Sequence, residues 1–173
     1  MLETFFSILL LCADCAEGGP PHETLLREIA LDDEVALVEH PALSFDRDVS
    51  SDGGGSARIV AAGSGSFPVC EVRNPVPVVA RGGFLAFRAN LRSEGLEGRA
   101  RLVAHYPGRD GLGTESRFSR TDVRGDSAWT SHEAPMFTLL GAAPDRITLG
   151  VEIEGQGTVW IDEIQIVRLE PVK

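Results

Sequence analysis

Positive charge is in short supply in this chain. Sixteen Lys and Arg stand against 26 Asp and Glu, a formal net charge of −10 at pH 7, and the sequence pI is near 4.8. A surface of that sign repels phosphate backbones and anionic lipids, which sets aside nucleic acid and anionic membranes as partners. Aromatic residues are also few, 6% of the chain with two Trp and one Tyr, so a site built on ring platforms has little to draw on. Only three Cys occur, and Cys12 and Cys15 both fall near the start. If that stretch is removed, Cys70 is the lone thiol, no intramolecular disulfide can form, and stability rests on packing. The apolar run from Phe5 to Cys12 is far shorter than the roughly 20 residues that span a bilayer as a helix. Nucleophile motifs of the Ser-x-x-Lys and Gly-x-Ser-x-Gly types are missing. The scattered histidines, with adjacent Asp162 and Glu163 expected to point to opposite faces of a strand, form no catalytic set. The expectation is a chain that is not an enzyme.

What is present divides into three parts. Residues 1–22 read as a signal-like leader and spacer: Phe5 to Cys12 has the length of a signal-peptide core, although no basic residue precedes it, and Gly18-Gly19-Pro20-Pro21 follows as a spacer. Leu9-Leu10-Leu11-Cys12 resembles a lipoprotein cleavage box with a bulky residue where a small one is usual. A secreted or periplasmic location, with a lipid anchor as an option, is the expectation. Cys12, Cys15 and His22 lack a second ligand pair and read as leader, not as a metal site. Residues 23–42 form an irregular segment, with one or two helical turns over Glu23 to Ala30 and a first strand over Val35 to Val38. Residues 43–169 read as strands separated by Gly, Pro, Asp and Asn at intervals of roughly 8–14 residues, the rhythm of an antiparallel sandwich. At 173 residues with 43% hydrophobic content, the chain can bury one self-sufficient core.

Two stretches carry the strongest pattern. Leu85, Phe87, Ala89 and Leu91 alternate with Ala86, Arg88 and Asn90; Ala100, Leu102, Ala104 and Tyr106 alternate with Arg99, Arg101, Val103 and His105. A turn over Ser93 to Gly98 would make these a hairpin. Near the C-terminus, Ile147, Leu149, Val151 and Ile153 alternate with polar residues, and Gly155-Gln156-Gly157 supplies a second turn. The apolar phase of the returning strand, Val159 and Ile161, slips by one before Ile164 and Ile166. That slip predicts a β-bulge at Asp162-Glu163.

Gly-Thr-Val-Trp-Ile-Asp-Glu-Ile around Asp162 resembles the closing strand of galactose-binding-like β-sandwich domains, the jelly-roll group that includes many carbohydrate-binding modules. Asp46-Arg-Asp-Val-Ser-Ser-Asp-Gly-Gly-Gly-Ser-Ala-Arg-Ile59 is similar to their opening. The resemblance covers about Leu43 to Leu169 and implies an all-β, antiparallel jelly-roll sandwich. It also implies a non-catalytic, extracytoplasmic binding module whose partner is a polysaccharide, or alternatively a structural or protein-interaction domain of the cell envelope that meets an envelope protein and binds no glycan. Similar modules often hold a structural calcium ion. Here it would fall to Asp162 with Asp46, Asp48 or Asp52; the alternative is that Asp162 caps the bulge by accepting backbone N–H groups. For a ligand face, Arg88, Asn90, Arg101 and His105 offer planar donors suited to hydroxyls or uronic-acid carboxylates, and Trp160 offers a ring. The alternative for these residues is a solvated outer sheet.

Overall fold

The computed structural model describes residues 23–31, 37–75, 83–108, 113–138 and 144–170. The leader reading, including its cleavage box and cysteines, lies outside them. The described residues form eight strands, β1 (Glu23–Ile29), β2 (Leu43–Asp46), β3 (Ser56–Ala61), β4 (Gly65–Arg73), β5 (Phe84–Pro107), β6 (Thr114–Phe118), β7 (Val123–Thr138) and β8 (Arg146–Leu169). All pairings are antiparallel.

The spine is β5 against β8, two 24-residue strands paired from Phe84↔Leu169 to His105↔Thr148. The far edge of β8 takes β4, β3 and β1 in succession, with β2 beyond β3; the far edge of β5 takes β7 and β6. The two halves of the spine therefore have different neighbours and supply the two layers of an antiparallel β-sandwich. Their inward residues merge into one core: Leu85, Phe87 and Leu91 from one half of β5, Ala100, Leu102 and Tyr106 from the other, and the expected alternating set of β8.

The two expected hairpins are not formed. Ser93 to Gly98 and Gly155 to Gly157 do not reverse the chain; each continues its strand, and they lie side by side as Glu94↔Thr158, Glu97↔Gln156 and Gly98↔Gly155. Positive φ at Gly95, Gly98, Gly155 and Gly157 bends both strands where turns were expected. The physical reason is contact between backbones: a Cβ on Gly98 would meet the Glu154 carbonyl oxygen at 1.8 Å, and one on Gly155 would meet that of Glu97 at the same distance. Glycine at these sites permits a crossing of two strands, a requirement that local sequence does not distinguish from a turn.

The N-terminal segment also differs from expectation. Glu23–Ile29 is a strand, not helical turns, because the free edge of β8 offers a backbone ladder from Glu23↔Leu169 to Ile29↔Ile164. A short segment of weak helical pattern yields to that pairing. Leu26 and Ile29 pack against the core. Of the expected strand Val35 to Val38, residues 35 and 36 fall outside the described residues, and Leu37 and Val38 are not strand. The bulge in β8 is present: Asn90 pairs with Asp162 but Arg88 with Gln165, so three residues of β8 span two of β5, and Glu163 adopts φ 51°.

Candidate functional site

The sequence places Arg88, Asn90, Arg101 and His105 on the solvent side of β5, and there they lie. Because β5 is one strand, Arg88 and Arg101 belong to different halves of the spine instead of sitting side by side across a hairpin. Each is already committed. Arg88 makes a forked pair with Glu23 at 2.6 and 2.9 Å and bonds Glu133 at 2.7 Å, and the Arg88 hydrogen bonds hold the Glu23 carboxyl below its ordinary range. Arg101 pairs with Glu152 at 2.8 Å and lies 4.1 Å from the Phe118 ring centroid. His105 bridges Ser66 at 2.9 Å and Ser116 at 2.8 Å. Asn90 donates to Glu163. These residues tie β5 to its neighbours across the outer face.

The acidic residues are likewise occupied. Asp162 is 1% exposed; its Oδ1 accepts the Glu163 N–H at 2.8 Å and its Oδ2 accepts the Ser51 N–H at 2.8 Å. The Ser51 hydroxyl stands 2.8 Å from Asp162 Oδ2 and 2.9 Å from Glu163 Oε2, one proton bridging two carboxylates. Asp52 accepts from the Gly54 N–H and the Ser50 hydroxyl. Asp46 Oδ1 accepts the Asp48 and Val49 N–H groups, and its Oδ2 accepts the Trp160 indole N–H at 2.9 Å. This last bond is the chief reason the Asp46 carboxyl sits below its ordinary range. The carboxylate of Asp48 is exposed. Among the described residues, no three His, Cys, Asp or Glu side chains gather in a way that could hold a metal ion. Through its hydrogen bonds Asp162 caps the bulge and fastens Ser50 and Ser51 to β8.

Trp160 faces outward as expected but is only 5% exposed, so it offers no open ring. Its cross-strand neighbours are Arg58 on β3 and Arg92 on β5, with guanidinium carbons 5.8 and 5.4 Å from the ring centroid. The row Arg58, Trp160, Arg92 runs across three strands and leads to a cleft at the edge between β5 and β7.

That cleft is lined by Arg92, Ser93, Glu94, Asp126, Ser127, Ala128 and Trp129, with a volume of about 460 Å³. Two compensating irregularities open it. Leu91↔Thr130 and Ser93↔Ser127 enclose one extra residue on β7, whereas Ser93↔Ser127 and Leu96↔Gly125 enclose one extra residue on β5. Where the ladder is interrupted, side chains bridge the strands: Ser93 Oγ donates to the Gly125 carbonyl at 3.0 Å, and the Gly95 N–H donates to Asp126 Oδ1 at 2.7 Å. Trp129 is half-buried, while Glu94 and Asp126 are exposed. Arg92 has no ion pair among the described residues, although two carboxylates line the same cleft. The cleft thus presents one indole, one guanidinium with open donors, the Glu94 carboxylate and the second oxygen of Asp126. Of these four, Arg92, Glu94 and Asp126 did not stand out in the sequence, and Trp129 reads there as a residue packed against the sandwich edge. Trp129 carried the only signal, being one of two tryptophans, and the paired bulges that expose it leave no trace in local pattern.

No family model matches the sequence, and a search of curated proteins returns no match. Solved structures do match. A xylan-binding CBM22-1 domain from Paenibacillus barcinonensis Xyn10C superposes with a TM-score of 0.56 at 14% identity, covering 90% of this chain and 99% of that one. A CBM 22 xylan-binding domain gives 0.58 at 15% identity, covering 86% and 97%. The CBM22-1 and GH10 modules of Clostridium thermocellum xylanase 10B, solved with xylohexaose, give 0.59 at 14% identity over 83% of this chain, which spans 28% of that one. At such identities the likeness speaks for fold alone, and that fold is the β-sandwich jelly roll of carbohydrate-binding modules.

Proposed function

We propose that this chain is a non-catalytic, extracytoplasmic carbohydrate-binding module whose ligand occupies the cleft between β5 and β7. The observation that carries the reading is the cleft itself, with Trp129 beside the open donors of Arg92 and the open acceptors of Glu94 and Asp126. Sugar rings present C–H faces that stack on an indole and hydroxyls that act as donor and acceptor at once, so a ring flanked by both kinds of polar group is chemically matched to them. The fold shared with xylan-binding domains agrees with this. Glu94 and Asp126 are exposed at the cleft, where both can accept from sugar hydroxyls. The polar role expected of Arg88 and Arg101 passes to Arg92, because those two are consumed by carboxylates. No helix among the described residues is long and apolar enough to cross a membrane.

Affinity electrophoresis in gels containing xylan, mixed-linkage glucan, mannan or polygalacturonate tests the proposal. Retention on at least one gel is expected, lost in Trp129→Ala with the melting temperature unchanged. Retention that survives Trp129→Ala and Arg92→Ala places the site elsewhere. No retention on any gel favours the alternative of a structural domain that contacts an envelope protein.

A further inference from the structure

We infer that Asp46 and Trp160 are positioning residues for the cleft: together they set the guanidinium of Arg92, although neither lines the cleft. The inference rests on the reading of the cleft as a ligand site. Arg92 shares the cleft with Glu94 and Asp126 and pairs with neither, whereas eight other arginines among the described residues form ion pairs. What holds it is the neighbouring indole, whose centroid is 5.4 Å from the guanidinium carbon, within the range at which a cation is attracted to a ring face. The indole in turn is fixed at its other end. Its N–H donates to Asp46 Oδ2 at 2.9 Å, and the opposite carboxylate oxygen is fastened by the Asp48 and Val49 N–H groups at 3.1 and 3.3 Å. A carboxylate accepting the indole N–H also pushes electron density into the ring, which strengthens its hold on a cation. Trp160 is buried, so its ring has no rotamer freedom to spare. The chain of contacts thus runs from the backbone of residues 46–49 through the carboxylate and the indole to Arg92.

The arrangement explains why a tryptophan with no open face occupies this place. A guanidinium left to itself would fold onto Glu94 or Asp126, and its donors would be spent before a ligand arrived. Held on Trp160, it keeps them available, and the ligand finds the group already ordered.

The test uses the full chain with three substitutions. Asp46→Ala removes the acceptor for the indole N–H, Trp160→Phe keeps a ring without the N–H, and Asp48→Ala, which changes an exposed side chain while its backbone N–H still bonds Asp46, is the control. The probe is xylohexaose, measured by titration calorimetry. Affinity is expected to stay within about twofold in Asp48→Ala, and to drop roughly three- to tenfold in Asp46→Ala and Trp160→Phe, the weight of one cation–ring contact. A second readout needs no ligand: the side-chain Nε–H resonance of Arg92 in ¹⁵N spectra is expected to shift in Asp46→Ala and Trp160→Phe but not in Asp48→Ala. If xylohexaose binds, Arg92→Ala weakens it, and Asp46→Ala leaves both affinity and the Arg92 resonance unchanged, the positioning role is overturned while the ligand site stands. If xylohexaose does not bind but the Arg92 resonance responds as expected, the positioning contact is real and the choice of ligand is wrong.

Discussion

Removing the carboxylate of Asp162 is expected to be among the most damaging single changes outside the apolar core. The side chain is 1% exposed and accepts two backbone N–H groups, Ser51 at 2.8 Å and Glu163 at 2.8 Å. Asp162→Ala leaves both without a partner. A buried donor stripped of its acceptor costs about 1–3 kcal/mol, and the two together give a loss of about 2–6 kcal/mol. The Ser51 hydroxyl adds little, since it can turn to Glu163, 2.9 Å away. Asp162→Asn keeps one acceptor oxygen but turns an NH₂ toward a donor, so its loss is expected at about 1–3 kcal/mol. Urea denaturation of wild type and both variants, with m-values compared to confirm an unchanged transition, reads these numbers directly. Each curve is to be run in calcium and in chelator. The hydrogen-bond account predicts the same losses in both. A loss below about 0.5 kcal/mol for the alanine variant, the range of an ordinary surface change, would refute it. A wild-type melting temperature that rises with calcium, and ceases to do so in Asp162→Ala, would instead reveal the bound ion that the family resemblance suggests.

Three further outcomes follow from the packing. Gly98→Ala is expected to cost more than about 2 kcal/mol, since its Cβ would enter the Glu154 carbonyl at φ 133°, whereas Gly95→Ala, at φ 57° with open space around it, is expected to cost about 1 kcal/mol; paired thermal melts check the ranking. His132 is buried between the hydroxyls of Thr121 and Thr130, each 2.8 Å from a ring nitrogen, and burial lowers its pKa below the ordinary 6.5. The fold therefore favours the neutral ring, so its contribution is present above pH 6.5 and lost as pH falls below that value; His132→Asn is expected to flatten the decline in melting temperature between pH 7 and pH 5. Cys70 is buried, and burial pushes its pKa up to about 12, so in a chain with Cys12 and Cys15 replaced by Ser the thiol is expected to resist alkylation until urea unfolds the domain.

The sequence was most legible where one residue meets one face. The alternation of Leu85 to Leu91, of Ala100 to Tyr106 and of Ile147 to Ile153 named buried residues correctly, because a strand with one dry side writes its period into the chain. The bulge at Asp162-Glu163 was legible for the same reason, as a slip in that period. What stayed hidden depends on pairs of segments distant in sequence. The glycines at 95–98 and 155–157 look like turns one at a time and reveal themselves as a crossing only when set beside each other. Glu23–Ile29 becomes a strand because β8 has a free edge at that place. The exposed arginines of β5 looked like ligand donors until Glu23, Glu133 and Glu152 took them up. Trp129 and Arg92 meet in a cleft only because two irregularities on different strands offset one another.

The central claim is that the cleft between β5 and β7 holds a saccharide, and chemical-shift mapping tests it most directly. Uniformly ¹⁵N-labelled protein titrated with xylohexaose, and in parallel with oligomers of the other gel polysaccharides, reports where a ligand sits without altering any residue. The account predicts saturable shifts concentrated at Arg92 to Glu94, at Asp126 to Ala128 and at the indole N–H of Trp129, with residues at the far end of the spine unmoved. Saturable shifts confined to another surface, or spectra that no saccharide perturbs, would contradict it.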